Sequence, residues 1–537
     1  MRHDRIGFKR INRRKNDQPH IMEDSEESQI QKMFSGSTIF LTGGTGFLGK
    51  LLIEKLLRSC PKIKKLYVLI RQKKNKDTKK RLQEQFDDVL YDKLRNKMPD
   101  FLQKIDILEG DMGQVNMGMS DADRSKLTNE VDFIFHGAAT VRFDETLKTA
   151  VEINVRGTRE MLQLAHECSK LRAFVHISTA YWYIFCIKAC IFVSNCHLNE
   201  IDEKFYGINL SGDMLIDLVE NIDENILKNI TPGLLDNLPN TYTYSKLAAE
   251  DIIQKHSQGL PVAIFRPSIV ISTACEPLPG WIDNMYGPTG VIAGVGVGLI
   301  HVLNYNLQVK TDLVPGDYVV NGVIAAAWKT AKDYPANDEH SDLANSPLIY
   351  NYVSSEQNPL IMGTFINYAV AYGAQVPTMQ AIWMNIFWIT SSKFLFNLYF
   401  LLLHSIPALI VDTIAILIGK KPLLRPAYKK IRKYLEVISY FTLREWKFHN
   451  KNTVSLLKEL DDADKHTFNF DIESLKWEEY CKDYLLGMRL YLVKDPLETL
   501  PQARKKQLKL KLAHYFLVSV IALGLLAFMW ILVRLFI

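Results

Sequence analysis

Tyr242 and Lys246, in Tyr242-Thr243-Tyr244-Ser245-Lys246, stand four residues apart at the head of a helical-looking LAAEDIIQK. On a helix that spacing puts the phenol and the ammonium on one face, aimed together at a site above a sheet. Tyr244 lacks such a lysine partner. Phosphate chemistry is written into a second stretch, Thr42-Gly43-Gly44-Thr45-Gly46-Phe47-Leu48-Gly49, between the apolar run 38–41 and a helical KLLIEKLL. Its glycines recur as G-x-x-G-x-x-G, wider than the G-x-G-x-x-G of many dinucleotide folds but answering the same need. The first allows a sharp turn, the second lets backbone approach a pyrophosphate, and the third lets helix pack on strand. Amides at the head of that helix then face the phosphates. A lone Y-x-x-x-K pair is usually surface decoration. Here it follows a strand-turn-helix, a Ser178-Thr179 strand end and a Pro239-Asn240 turn, the order an active site needs.

These groups need a scaffold. Apolar runs at 38–41, 66–70, 105–108, 131–135, 173–177 and 262–265, separated by helical stretches, predict the strands of an α/β, doubly wound, Rossmann-like parallel sheet. Arg71 follows the second run, where the strand meets an adenosine ribose. An acid there would hold a 2′-hydroxyl; Arg71 with Lys73 and Lys74 suits a 2′-phosphate, so the expected cofactor is NADPH rather than NADH. Asp111, in Gly110-Asp111-Met112, is placed to accept from an adenine amino group. Gly137, Ala138 and Ala139, small residues after the fourth run, let backbone lie against the cofactor, while His136 is expected to pack rather than catalyse. Asn154 falls in a helix predicted over 147–168.

A chain of 537 residues supports more than one domain. Residues 1–33 read as a disordered arm, 34–330 as the NADPH-binding catalytic domain, 331–500 as a second domain and 512–537 as a transmembrane tail. The formal charge of +6, with lysines and arginines clustered locally, fits a membrane-facing or phosphate-binding surface better than a nucleic-acid partner. The cysteines form no regular ladder and no coherent metal-ligand set. The first thirty residues are polar, so no signal peptide is expected and the catalytic part is placed in the reducing cytosol.

The stretch 516–533 carries no charge and, with its flanks, suffices for one helix across hydrocarbon. RKKQLKLK at 504–511 predicts a positive patch on the cytosolic side. The expectation is a single-pass C-terminal anchor in the endoplasmic reticulum or a peroxisome. The stretch 394–418 is also apolar but holds His404, Pro407 and Asp412, and charge is expensive in lipid. It reads either as a membrane-embedded hairpin or interfacial helix pair at a substrate entrance, or as an ordinary core or groove element.

TGGTGFLGK at 42–50, GDM at 110–112, HGAATVRFDE at 136–145, INVRGT at 153–158, HISTAY at 176–181, PNTYTYSKLAAE at 239–250 and FRPSIV at 265–270 resemble the alcohol-forming fatty acyl-CoA reductases, within the extended short-chain dehydrogenase/reductase superfamily. So do PGWIDNMYGPTGVIAGVGVG at 279–298, LLLHSIPALIVDTIAILIGKKP at 401–422 and WKFHNKNT at 446–453. The resemblance implies a long-chain acyl-CoA substrate and two NADPH-dependent reductions. The thioester gives a hemithioacetal, loss of CoA leaves an aldehyde, and a second hydride gives the primary alcohol. It further implies that Tyr242 donates a proton to the carbonyl oxygen in both reductions. Lys246 would hold the nicotinamide ribose and lower the pKa of the phenol. Thr179, helped by Ser178, would bond the same oxygen, and Asn154 would position Lys246 through a water. DLVPGD at 312–317 resembles the superfamily's substrate-side loop. The rival readings are a reductase that stops at aldehyde or acts on another lipid carbonyl, and an inactive membrane-bound homologue.

One departure from the family is large. The family runs STAY into SNC, whereas here WYIFCIKACIFV, 182–193, intervenes just beyond Thr179. These residues either line the acyl groove, dip into the bilayer beside it, or are a retained piece of unspliced sequence. The absence of glycine, proline or asparagine counts against an evolved loop and favours the last. Deleting 182–193, so that Tyr181 joins Ser194, is therefore expected to give equal or better folding and faster acyl-CoA reduction. Side-by-side expression with alcohol formation measured checks this; clearly lower activity in the shortened form would make the insertion a working part of the site.

Overall fold

The computed structural model describes residues 28–72, 78–181, 200–235, 238–334 and 346–536. Strands β1 (Thr38–Thr42), β2 (Lys65–Ile70), β3 (Ile105–Glu109), β4 (Phe133–His136), β5 (Ala173–Ile177), β6 (Val262–Pro267) and β7 (Leu348–Tyr352) form one sheet in the order β7-β6-β5-β4-β1-β2-β3. Every pairing in it is parallel. Helices cover both faces, so β1, β5 and β6 are buried throughout and are mostly apolar. The order reverses between β1 and β4. The crevice beyond their carboxyl ends, at Thr42 and His136, is where folds of this kind take ligands.

The expected doubly wound sheet is present with all six expected strands. The seventh, β7, comes from beyond residue 330 and was hidden by its composition. Its Asn351 interrupts a short apolar run, yet is fully buried, donating to Ile201 O (3.3 Å) and His449 O (2.8 Å). The helix expected over 147–168 is continuous but loosens into a π-helical turn, Val151–Arg156, between Leu147–Ala150 and Gly157–Glu167.

The disorder expected over 1–33 does not hold for residues 28–33. Residues 1–27 lie outside the described residues, but 28–33 enter a helix, Gln29–Phe34, capped by Ser28. Ile30 and Phe34, four apart in a polar segment, are fully buried, and the Phe34 ring lies 4.5 Å from that of Phe133. Lys73 and Lys74, and the insertion 182–193, also lie outside the described residues.

One hydrophobic core runs from Ile39 and Leu51 through to Phe468, Trp477 and Tyr484 in the C-terminal half. Short ribbons add ties, with Val302–Asn304 beside Trp388–Thr390 and Glu200–Ile201 beside Lys447–Phe448. Among the described residues two helical stretches are long and apolar enough to cross a membrane, Lys393–Leu417 and Leu497–Leu535. After the turn Leu497–Thr499 the second is one unbroken helix, Leu500–Phe536, about 55 Å long at 1.5 Å per residue. The basic 504–511 and the apolar 516–533 are thus stacked end to end on a single rod.

Candidate active site

The glycine turn is built as its spacing predicts. Gly43 has φ +80°, and a Cβ there would sit 2.7 Å from the carbonyl carbon of Gly137. The turn after β1 can therefore press against the end of β4 only without a side chain. A Cβ on Gly49 would sit 2.2 Å from Gly43 O, so the third glycine lets helix Phe47–Ser59 close on the turn. Gly46 heads that helix, its amide donating to Gly43 O (2.9 Å). The Thr42 hydroxyl accepts from the amide of Ala138 (3.2 Å) and lies 2.8 Å from His136 Nδ1. His136 Nε2 lies 3.1 Å from the Thr158 hydroxyl. Burial, with Lys246 adding to it, pushes the His136 pKa down to about 3. His136 packs.

A cavity of ≈ 1140 Å³ starts at this turn, lined by Thr42, Gly43, Thr45, Gly46, Phe47, Leu48 and Gly49. Gly44 faces away, toward Val68. Arg71 and Asp111 form the edge beyond β2 and β3 and Ala138 the floor beyond β4. Arg71 Nε is 3.9 Å from Asp111 Oδ2, and its side chain is 56% exposed. Asp111 Oδ1 accepts from the Gly113 amide (3.0 Å), fixing the carboxylate at the rim. The amides, the bare glycine surface and a cation beside the second strand fit a nicotinamide dinucleotide.

Thr179, Tyr242 and Lys246 meet on the same cavity. Asn240 caps helix Thr241–His256, accepting from Thr243 N (3.0 Å). That start places Tyr242 half-buried at the cavity and Lys246 buried below it. Lys246 Nζ donates to Ile177 O at the end of β5 (2.8 Å). Burial lowers its pKa to about 8, against the pull of Glu250. The phenol does not follow the expectation that Lys246 lowers it. Burial raises Tyr242 to about 12, with only Thr179 opposing. Tyr242 thus holds its proton at neutral pH, as a donor must.

One further expectation changes. Ser178 does not share the oxygen with Thr179: its hydroxyl donates to Glu250 Oε1 (2.5 Å), which is locked to Arg266 beneath the site. Asn154, in the π turn, accepts from Thr140 N (2.9 Å) and donates to Thr140 O (3.1 Å) and Ser245 Oγ (2.9 Å). It holds the loop after β4 and Ser245, the residue beside Lys246. The DLVPGD loop is likewise structural. Asp312 accepts from the amides of Ser354 and Ser355 (both 2.8 Å), and Asp317 from those of Ala274, Cys275 and Glu276 (2.8, 2.7 and 2.9 Å).

What sequence reasoning missed is an aromatic wall. The ring of Phe143 lies 5.8 Å from that of Tyr242 and 6.4 Å from that of Phe441, which also packs edge-on against Tyr181 at 5.6 Å. From there the cavity continues past Phe365 and Trp383 to Gln507 and Leu510, at the base of the long C-terminal helix.

The family described as "Male sterility protein" matches this chain twice, through its NAD-binding part over 41–323 and again over 403–495. Fatty acyl-CoA reductase wat of Drosophila melanogaster is 39% identical over 500 residues, covering 93% of this chain and 92% of that one. Fatty acyl-CoA reductase 1 of Homo sapiens is 36% identical over 486 residues, 90% of each chain. The chain belongs to the fatty acyl-CoA reductase family. As such it is an oxidoreductase with a nicotinamide cofactor, and both matched parts of this reductase reach the site: Tyr242 from the first, Phe441 and Met488 from the second. Among solved structures, the reductase domain of a nonribosomal peptide synthetase from Mycobacterium tuberculosis superposes with a TM-score of 0.54 at 19% identity, over 87% of this chain and 92% of that one. At that identity the likeness bears on the fold of the reductase alone.

Proposed function

We propose that this reductase converts long-chain fatty acyl-CoA to a primary alcohol, using two NADPH and releasing CoA by way of an aldehyde. The observation that carries the reading is one continuous cavity. It joins the glycine turn and Arg71 to Tyr242, Lys246 and Thr179, and then to an apolar passage ending at the long C-terminal helix. The cofactor supplies hydride. The chain's own residues supply the rest. Tyr242 gives its proton to the carbonyl oxygen as negative charge gathers there, and Thr179 donates to the same oxygen. Lys246, charged below about pH 8, holds the nicotinamide ribose. The wall of Phe143, Tyr181 and Phe441 grips the chain and keeps water out. The same oxygen builds charge in the thioester and in the aldehyde, so one tyrosine serves both steps. The helix Leu500–Phe536 anchors the enzyme in the membrane of the endoplasmic reticulum or a peroxisome, with its basic turn on the cytosolic side. Incubating enzyme-containing membranes with NADPH and a series of long-chain acyl-CoAs tests this: alcohol, free CoA and two NADPH consumed per thioester support it, and aldehyde as the end product contradicts it.

Cofactor choice rests on Arg71. Arg71→Ala is expected to weaken NADPH use about 10–100-fold, the worth of a charge-assisted phosphate contact, and to leave residual NADH use unchanged. Steady-state kinetics with each cofactor checks this; equal losses with both would remove the assignment.

A further inference from the structure

Lys393–Leu417 is long and apolar enough to cross a bilayer, yet both its ends are tied to the same body. It follows Trp388–Thr390, which pairs with Val302–Asn304. Beyond Leu417 the chain turns at Gly419 (φ +74°) and returns as Leu424–Thr442. The Thr442 hydroxyl donates to Asn304 O (3.1 Å), and Ile438 and Phe441 of the returning helix line the cavity. A full crossing would oblige Leu424–Thr442 to cross back. That helix carries Arg425, Lys429, Lys430, Arg432 and Lys433, each costly in hydrocarbon.

Nor is the hairpin a core element. Phe394 is 74% exposed, Leu417 80%, Ile418 62% and Leu423 73%, with Ile410 and Ile414 half exposed between them. An apolar surface of this kind on a folded body marks an interaction site. The imidazole and the carboxylate of the stretch are turned inward. His404 Nε2 accepts from His301 N (2.9 Å), and the Asp412 carboxylate accepts from the amides of Leu423, Leu424 and Arg425 (3.0, 3.0 and 2.8 Å). What faces out is hydrocarbon, rimmed at the turn and along the return helix by exposed Lys420, Lys421, Lys429 and Lys430. An apolar face with a cationic rim fits one leaflet of a phospholipid surface, acyl chains against the first and phosphates against the second.

The face also adjoins the long C-terminal helix. Trp383 Nε1 donates to His514 Nδ1 (3.2 Å) and Lys506 Nζ to Met379 O (2.8 Å). These bonds fix that helix to the segment leading into Trp388–Thr390 and the hairpin. Gln507 and Leu510, on the same turns, line the end of the cavity.

We propose that the hairpin 393–423 lies in a single leaflet without crossing it, on the side of the basic turn at 504–511. Together with the anchor it holds the Gln507–Leu510 end of the cavity at the lipid surface, where acyl chains pass between bilayer and site. The proposal rests on the reading of Leu500–Phe536 as an anchor. The test uses the full chain, reconstituted outward-facing in sealed phosphatidylcholine and phosphatidylserine vesicles, with a photoreactive benzoyl-phenylalanine at Ile414, Leu417, Leu525 or Met214. Met214 is an exposed residue of helix Gly212–Asn221 in the catalytic half. Phospholipid adducts from Ile414 and Leu417 at yields comparable to Leu525, with none from Met214, are expected. An impermeant amine reagent added outside is expected to reach Lys420 or Lys421. Adducts from Leu525 but none from Ile414 and Leu417, or cross-links from those two positions to a second protein copy, overturn the proposal while leaving the anchor. Lipid adducts with both lysines shielded from outside mean a full crossing and also overturn it. Failure at Leu525 removes the anchor, and the proposal with it. No outcome depends on turnover, so the acyl-CoA reading stands or falls separately.

Discussion

Tyr242→Phe is expected to leave folding and cofactor binding intact and to slow both reductions by about 100-fold or more. The change removes one hydroxyl; the ring keeps its contact with Phe143 at 5.8 Å and the cap at Asn240 is untouched. What disappears is the proton that burial holds on the phenol up to a pKa of about 12. Single-turnover reduction of acyl-CoA and, separately, of the corresponding aldehyde should fall together, because both build charge on the same oxygen. Tyr244 is the control. It lies buried in the packing beside Ala248 and Ile252 rather than on the cavity, so Tyr244→Phe should be mild. Were the effects reversed, the register of the tyrosine–lysine pair would be wrong.

Arg266→Ala should destabilise the protein by about 3–5 kcal/mol, the cost of leaving a buried charge without its partner. Arg266 is wholly buried. It donates from Nε to Glu250 Oε1 (3.0 Å) and from Nη2 to Glu250 Oε2 (2.5 Å), and also reaches the carbonyls of Asp202 (3.2 Å) and Lys204 (2.9 Å). Glu250 then holds Ser178, next to Thr179, and sits one helical turn beyond Lys246. Loss of the arginine should therefore lower the thermal midpoint and the activity together. Replacing both partners, as in Glu250→Leu with Arg266→Met, should recover most of the stability, since no charge is then left buried. An unchanged midpoint in Arg266→Ala would show that the pair contributes nothing.

The fold was legible where local chemistry demands particular residues. Gly43 and Gly49 are dictated by backbone approach, Tyr242 and Lys246 by helical spacing, and the apolar runs by burial on both sheet faces. The misses have physical reasons. Phe143 and Phe441 meet across nearly three hundred residues, and no local pattern encodes such a contact. Ser178 and Thr179 look equivalent in sequence, and both line the cavity. What separates them is that the Ser178 hydroxyl is spent on the Glu250–Arg266 pair. Asp312 and Asp317 belong to a stretch that resembles a substrate-side loop, yet each is spent on backbone amides of neighbouring loops.

The central claim is that one site delivers two hydrides to one carbon. Supplying long-chain acyl-CoA with NADPH carrying deuterium at its transferable position, and reading the product by mass spectrometry, tests it most directly. The account predicts a primary alcohol with two deuterium atoms on its first carbon, free CoA in equal amount, and loss of both deuterium transfers in Tyr242→Phe. An aldehyde bearing a single deuterium as the end product, or an alcohol carrying only one, would contradict it.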